Sequence, residues 1–169
     1  MDVSDLQLLY DYNYWANGKL LKVIETLTPE ELNRDVCGAY GSIRKTLVHM
    51  LSAEWGWLAR AGGPERGPKL KPEDFPTLDS IKETWSKVER WMRDFISTKA
   101  SDDLRRAVTF HNEKGEPRTL SLQEMLQHAA NHNVHHRGQV SMILRMMGHA
   151  PGNVDLLFYF AEKYGKPVW

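Results

Sequence analysis

Apolar residues recur along this chain with the period of a helix, in four long stretches separated by breakers. A helix turns about 100° per residue, so apolar positions three and four apart line one face. The first stretch, Ser4 to about Leu27, puts Leu6, Leu9, Tyr10, Tyr14, Leu20, Leu21 and Ile24 on one stripe. Trp15 and Leu8 fall on the opposite side of it. The second, Ile43 to Ala61, carries Leu47, Met50, Leu51, Trp57 and Leu58. The third, Leu78 to Ser97, carries Ile81, Trp85, Val88, Trp91, Met92 and Ile96. The fourth runs from Leu122 to Met147.

The residues flanking these stretches fit helix ends. Asp2 or Ser4, Ser42, Thr77 and Ser121 can each accept from the first free backbone N–H groups. Ser121 with Glu124 makes a capping box. Gly62-Gly63-Pro64 and Gly148 stop the second and fourth helices. Thr28-Pro29 starts a short helix near Leu32. Residues 38–41 and 62–76 read as loops, and Asp155 to Tyr164 as a short last helix. Ala107–Phe110 and Arg118–Leu120, with Gly115 between, read as a hairpin. The sum is an all-α fold: a single domain over residues 1–169, an up-and-down four-helix bundle with a small β-hairpin insertion and a short C-terminal helix.

Charge and composition narrow the function. Lys and Arg total 22 and Asp and Glu total 22, a formal net charge of zero. A nucleic-acid partner held by bulk charge is thereby disfavoured. No apolar run reaches the ~18 residues of a membrane span, and the acidic start lacks the form of a signal peptide. The one cysteine, Cys37, excludes an internal disulfide and a thiolate cluster. The expectation is a cytoplasmic protein without a nucleic-acid or membrane partner.

The chemistry concentrates in the fourth stretch, where His128, His132, His135 and His136 fall within nine residues. With His132 at 0° on the wheel, the apolar residues of this helix span about 20° to 120°. His136 falls inside that arc at about 40° and His132 borders it, while His128 and His135 lie outside at about −40° and −60°. His132 and His136 are thus an inward pair four residues apart, able to share one metal ion. A catalytic site of the zinc type needs a third protein ligand and an open position. His49, near the edge of the second helix's stripe, is the first candidate and His111, at the hairpin, the second. His149 lies past the helix end, ~20 Å from His136 at ~1.5 Å rise per residue.

Glu54 and Gln139 are candidate partners of the ligating imidazoles or positioners of water. Tyr14, Trp15 and Trp57 either fill the core or line a pocket, and Trp15 alternatively faces a partner chain. Gly138, costly inside a helix by about 1 kcal/mol, suggests a close helix contact. Arg137 reads as facing solvent or an acidic neighbour. There is no Gly-rich phosphate loop and no acidic pair at a recognisable spacing, and Cys37 has no histidine near it in sequence. Catalysis, if any, runs through the metal.

Three motifs carry a family resemblance over nearly the whole chain: Tyr14-Trp15-Ala16-Asn17, Leu47-Val48-His49, and His132-Asn133-Val134-His135-His136-Arg137-Gly138-Gln139. The chain resembles the DinB/YfiT-like four-helix-bundle proteins, named for DNA-damage inducibility. The resemblance implies one histidine from the second helix and two from the fourth, here His49, His132 and His136, around one divalent ion, zinc or nickel. It also implies a homodimer, and chemistry like that of relatives that transfer or isomerise with low-molecular-weight thiols. The expected function is a metal-dependent thiol S-transferase acting on a small electrophile. The alternatives are a non-catalytic metal-binding stress-response protein or a metal-dependent hydrolase.

Overall fold

The computed structural model describes residues 1–36, 40–112 and 114–168. Cys37 and the start of the loop expected at 38–41 lie outside the described residues. The elements in chain order are α1 (Val3–Ile24), α2 (Pro29–Asn33), α3 (Ile43–Ala61), α4 (Leu78–Ser97), β1 (Ala107–His111), β2 (Pro117–Ser121), α5 (Leu122–Met146) and α6 (Leu156–Tyr164).

The ends lie where the local chemistry sets them. The Ser42 and Thr77 side chains accept from the N–H groups of Lys45 and Ser80. Asp2 with Asp5, Thr28 with Glu31 and Ser121 with Glu124 form capping boxes. Gly62 ends α3 at φ +102°, a conformation that costs glycine little. β1 and β2 pair antiparallel, with Ala107 opposite Ser121 and His111 opposite Pro117. The strand therefore delivers Ser121 directly to the start of α5.

α1, α3, α4 and α5 are the four helices of the bundle. α1 packs against α4 and α5, and so does α3. Their directions depart from the strict up-and-down alternation expected. Arg93 meets Asp11 and Lys82 meets Glu25, so α1 and α4 are antiparallel. Tyr10 meets Leu126 and Asn17 meets Arg137, so α1 and α5 run parallel. Trp57 meets His128 and His49 meets His132, so α3 and α5 are antiparallel. The order is up, down, down, up. Residues 62–77 make this possible: ~3.3 Å per extended residue easily recrosses a helix of ~30 Å. That loop does return to the head of α3, where the Arg44 guanidinium donates to the carbonyls of Pro72 and Phe75.

The core forms in two tiers. One gathers Leu20, Ile43, Leu47, Leu51, Trp85, Val88 and Leu144, the other Leu6, Tyr10, Leu58, Met92, Leu122 and Leu126. Trp15 and Leu8, on the outer side of α1, pack against α6 within the chain. Trp15 packs against Tyr159 with ring centres 5.6 Å apart and the planes tilted by 59°, beside Tyr12. No helix among the described residues is long and apolar enough to cross a membrane.

Candidate metal centre

The antiparallel contact of α3 and α5 brings three histidines together. His49 sits in the second turn of α3; His132 and His136 sit one turn apart on α5. His132 Nε2 lies 3.0 Å from His49 Nε2 and 3.1 Å from His136 Nε2. The three ligand nitrogens fall within 4.8 Å of one another. Two nitrogens bound about 2.0–2.1 Å from one ion, at angles of 90–110°, stand about 2.9–3.4 Å apart. The spacing is that of a chelating set. Among the described residues it is the only group of three metal-type ligands so placed. His136 is buried, His132 and His49 are half-buried, and His128 and His135 are exposed, as the helical wheel orders them.

The hydrogen bonds around the ring nitrogens favour a cation among them. His136 Nδ1 faces Gln139 Oε1 at 2.7 Å. That oxygen only accepts, so the proton sits on Nδ1 and leaves Nε2 with a bare lone pair. His132 Nε2 holds at most one proton yet faces two imidazole nitrogens. Bare nitrogens 3 Å apart repel unless a positive charge joins them. One ring proton can serve only one of the two contacts, and an added proton is a poor candidate for the other: burial, then the like charges of His136 and His49, push the His132 pKa from 6.5 to about 3. Burial also lowers the pKa of His136, partly opposed by the Gln139 bond. Neutral imidazoles at this spacing suit a divalent ion of intermediate softness.

Of the two candidate supporting residues, the structure keeps one at the histidines. Gln139 holds His136, and its amide nitrogen donates to His135 Nε2 at 3.0 Å. Glu54 does not touch a ligand imidazole. It is 1% exposed, and its oxygens accept from Tyr14 Oη at 2.6 Å, Trp85 Nε1 at 3.1 Å and Asn133 Nδ2 at 2.6 Å. It ties α3 to α1, α4 and α5, the last through Asn133, the sequence neighbour of His132 but one face away. Tyr14 is thus core, spoken for by Glu54, while Trp57 lines a cavity. His111 is exposed at the hairpin end, and His149 bonds Glu31 at 3.0 Å. Neither reaches the site.

Two further expectations are corrected. Arg137 is 2% exposed, not solvent-facing. Its Nη1 donates to Asn13 Oδ1 at 2.5 Å and Asn17 Oδ1 at 2.9 Å, and its guanidinium lies 5.4 Å from the Tyr12 ring. Those carbonyl dipoles and the aromatic face replace the carboxylate a buried cation usually needs. Gly138 is no close-contact residue: a Cβ built there meets nothing within 4 Å.

Two residues at the site escaped sequence reasoning. The Tyr40 ring stacks on His49 at 3.9 Å and meets His136 edge-on at 5.5 Å. A loop residue carries no periodic signal. Asn133 does have one: at about 100° it falls inside the apolar arc of α5, which marks a buried amide with a partner.

A cavity of about 300 Å³ opens beside the histidines, lined by His49, His132, His128, Trp57, Arg60 and Arg66 among others. His128 packs its ring on Trp57 at 4.6 Å and so forms wall, not ligand set.

The comparisons with known proteins agree with this architecture. The model of the DinB family matches residues 1–165. Protein DinB of Bacillus subtilis is 24% identical over 164 residues, covering 94% of this chain and 95% of that protein. The uncharacterized protein YizA of the same organism is 26% identical over 148 residues, 88% of this chain and 91% of its own. The crystal structure of a DinB-like protein from Bacillus cereus superposes with a TM-score of 0.74 at 22% identity, covering 91% of this chain and 98% of that one. A conserved protein from Enterococcus faecalis gives 0.60 at 13% identity, covering 82% and 94%. With a family match over nearly its full length, this chain belongs to the DinB family.

Proposed function

We propose that this protein binds one divalent ion, zinc or nickel, through His49, His132 and His136, and transfers a low-molecular-weight thiol to a small electrophile. The observation that supports the reading is three imidazole nitrogens from two helices converging on one point beside an open cavity. With three neutral ligands the ion keeps its double charge, and when bound it lowers the pKa of water or of a thiol toward neutrality. The protein's own residues supply the rest. Gln139 keeps the His136 proton on Nδ1. The buried Glu54 network fixes α3 against α5, and with it the separation of His49 from His132. Tyr40 covers the His49 ring, and Trp57 gives the cavity an apolar wall for an organic substrate. A reducing cytoplasm is the compartment in which such a thiol stays available.

The test is an assay of metal-loaded protein with a panel of low-molecular-weight thiols and 1-chloro-2,4-dinitrobenzene, read by absorbance. Thiol-dependent turnover in the wild type, lost in His132→Ala, is expected. Equal rates for the two proteins across the panel remove the transferase reading and leave a metal-binding protein without turnover.

A further inference from the structure

Two arginines share the cavity wall with the histidines. Arg60 lies in the last turn of α3, Arg66 in the loop that follows, and both line the same space as His49 and His132. Their charged groups approach one point. A Cβ at Gly56 would stand 3.4 Å from Arg60 Nη1 and 3.4 Å from both Cζ and Nη1 of Arg66. The missing side chain at Gly56 leaves room for the pair.

Each guanidinium is fixed by uncharged neighbours. Arg66 Nη1 donates to the Ser52 carbonyl at 3.0 Å and to Ser52 Oγ at 2.8 Å. The Arg60 guanidinium lies 5.1 Å from the Trp57 ring centre and 5.8 Å from that of Phe110. These contacts set the planes and leave N–H edges available. Among the described residues, the ion pairs formed within 4.0 Å include neither Arg60 nor Arg66. Other arginines of the chain do find acids: Arg93 pairs with Asp11 and Glu89, Arg105 with Asp102, Arg118 with Glu116. Burial, and then the charge of Arg60, pull the pKa of Arg66 down. Two like charges held together in a partly enclosed space repel, and an anion between them relieves the repulsion.

We infer that Arg60 and Arg66 bind the carboxylate of a small molecule that occupies this cavity, with its apolar body on Trp57 and its far end at His49 and His132. The carboxylate is recognised by paired N–H donors, the geometry for which the guanidinium fork is suited. The cavity's size fits a molecule of few heavy atoms, and its concavity and the chain's zero net charge do not fit a nucleic-acid backbone. What happens at the histidine end rests on the function proposed above; the carboxylate site itself does not need the metal.

The experiment exploits that independence. Metal-free protein is titrated calorimetrically with 3-phenylpropionate and with its uncharged counterpart 3-phenylpropanol. Wild type, Arg60→Gln, Arg66→Gln and, as control, Arg105→Gln are compared. Expected is carboxylate binding about tenfold or more tighter than the alcohol, lost by about tenfold in either cavity-arginine variant and kept in Arg105→Gln, which removes an exposed arginine outside the cavity. Equal binding of acid and alcohol, no binding of the acid at 10 mM, or acid binding unchanged in both cavity-arginine variants overturns the inference. Because these titrations contain no metal, failure of the thiol-transfer reading leaves their outcome untouched. Titrations of zinc-loaded protein then identify the carrier. If the thiol brings the carboxylate, zinc tightens 3-mercaptopropionate in the wild type more than in Arg66→Gln. If the electrophile brings it, 2-mercaptoethanol binds zinc-loaded protein with 3-phenylpropionate still in place.

Discussion

Replacing Glu54 tests whether one buried carboxyl group holds the ligand helices in position. Its two oxygens accept from Tyr14, Trp85 and Asn133, so Glu54→Ala leaves a phenol O–H, an indole N–H and an amide N–H without acceptors in a sealed core. At about 1–3 kcal/mol for each orphaned group, the loss is at least about 3 kcal/mol before any cavity cost. That is a large share of the roughly 5–15 kcal/mol that holds a domain folded. Glu54→Gln keeps the shape. Its amide oxygen can serve Trp85 and Asn133 while Tyr14 turns its hydroxyl to accept from the amide nitrogen; this orphans the phenol O–H and one amide N–H but opens no cavity, so a smaller loss than for Glu54→Ala, about 2 kcal/mol, follows. The pH dependence separates the two effects further. Burial outweighs the hydrogen bonds of Tyr14, Asn133 and Trp85 and holds the Glu54 carboxyl above its usual 4.5. Just above pH 4.5 the folded state then binds more protons than the unfolded chain, and this group's contribution to stability falls as pH rises until the folded pKa is passed. Glu54→Gln removes that slope. Urea unfolding followed by circular dichroism from pH 4.5 upward, with zinc affinity measured in parallel, reads all of this. Glu54→Ala should also weaken zinc binding, because Asn133 adjoins His132. Equal destabilisation by Ala and Gln, or a fully stable Glu54→Ala protein, would mean that this carboxyl group does not hold the helices.

Gly138→Ala should stabilise the protein by up to about 1 kcal/mol, since a Cβ there meets nothing and alanine is the better helix former; a lower melting temperature would mean that this face is covered in solution. In metal-free protein, His132 titrates near 3 when folded and near 6.5 when unfolded. The unfolded chain therefore binds more protons between those values, so stability should fall as pH drops below 6.5 and stay flat above it with respect to this group. Metal-free His132→Gln should lose that part of the acid slope, which urea midpoints from pH 7 to 4 will show. A homodimer is expected at micromolar concentration by light scattering. The exposed Met142, Met146, Leu157 and Tyr164 support it, whereas Trp15, Trp55, Trp57 and Trp91 have ring contacts within the chain and Trp85 is buried; a monomeric mass removes it.

What the sequence made legible was local. α3 and α4 begin and end at the residues expected, because Ser42, Thr77 and Gly62 act on their own neighbours. The inward histidine pair followed from spacing on one helix. The convergence of His49 with that pair is a long-range fact, set by the antiparallel crossing of α3 and α5, and the residues alone left His111 open beside it. Direction was not legible either: apolar periodicity marks a face and says nothing of whether a loop turns back or recrosses, which is why residues 62–77 upset the alternation. Arg137 shows the limit of polarity as a guide. At about 140° it borders the apolar arc of α5, and only the two asparagines of α1 make its burial tolerable. Tyr40 and Arg66 come from loops, where no period exists to read.

Whether His49, His132 and His136 hold a metal ion is read from the metal content of the protein. Protein purified without an affinity tag, with its His136→Ala and His128→Ala variants, is dialysed against zinc and measured by elemental analysis. One ion per chain is expected in the wild type and in His128→Ala, whose ring belongs to the cavity wall, and close to none in His136→Ala. Metal retained in both variants, or lost only from His128→Ala, would contradict this ligand set.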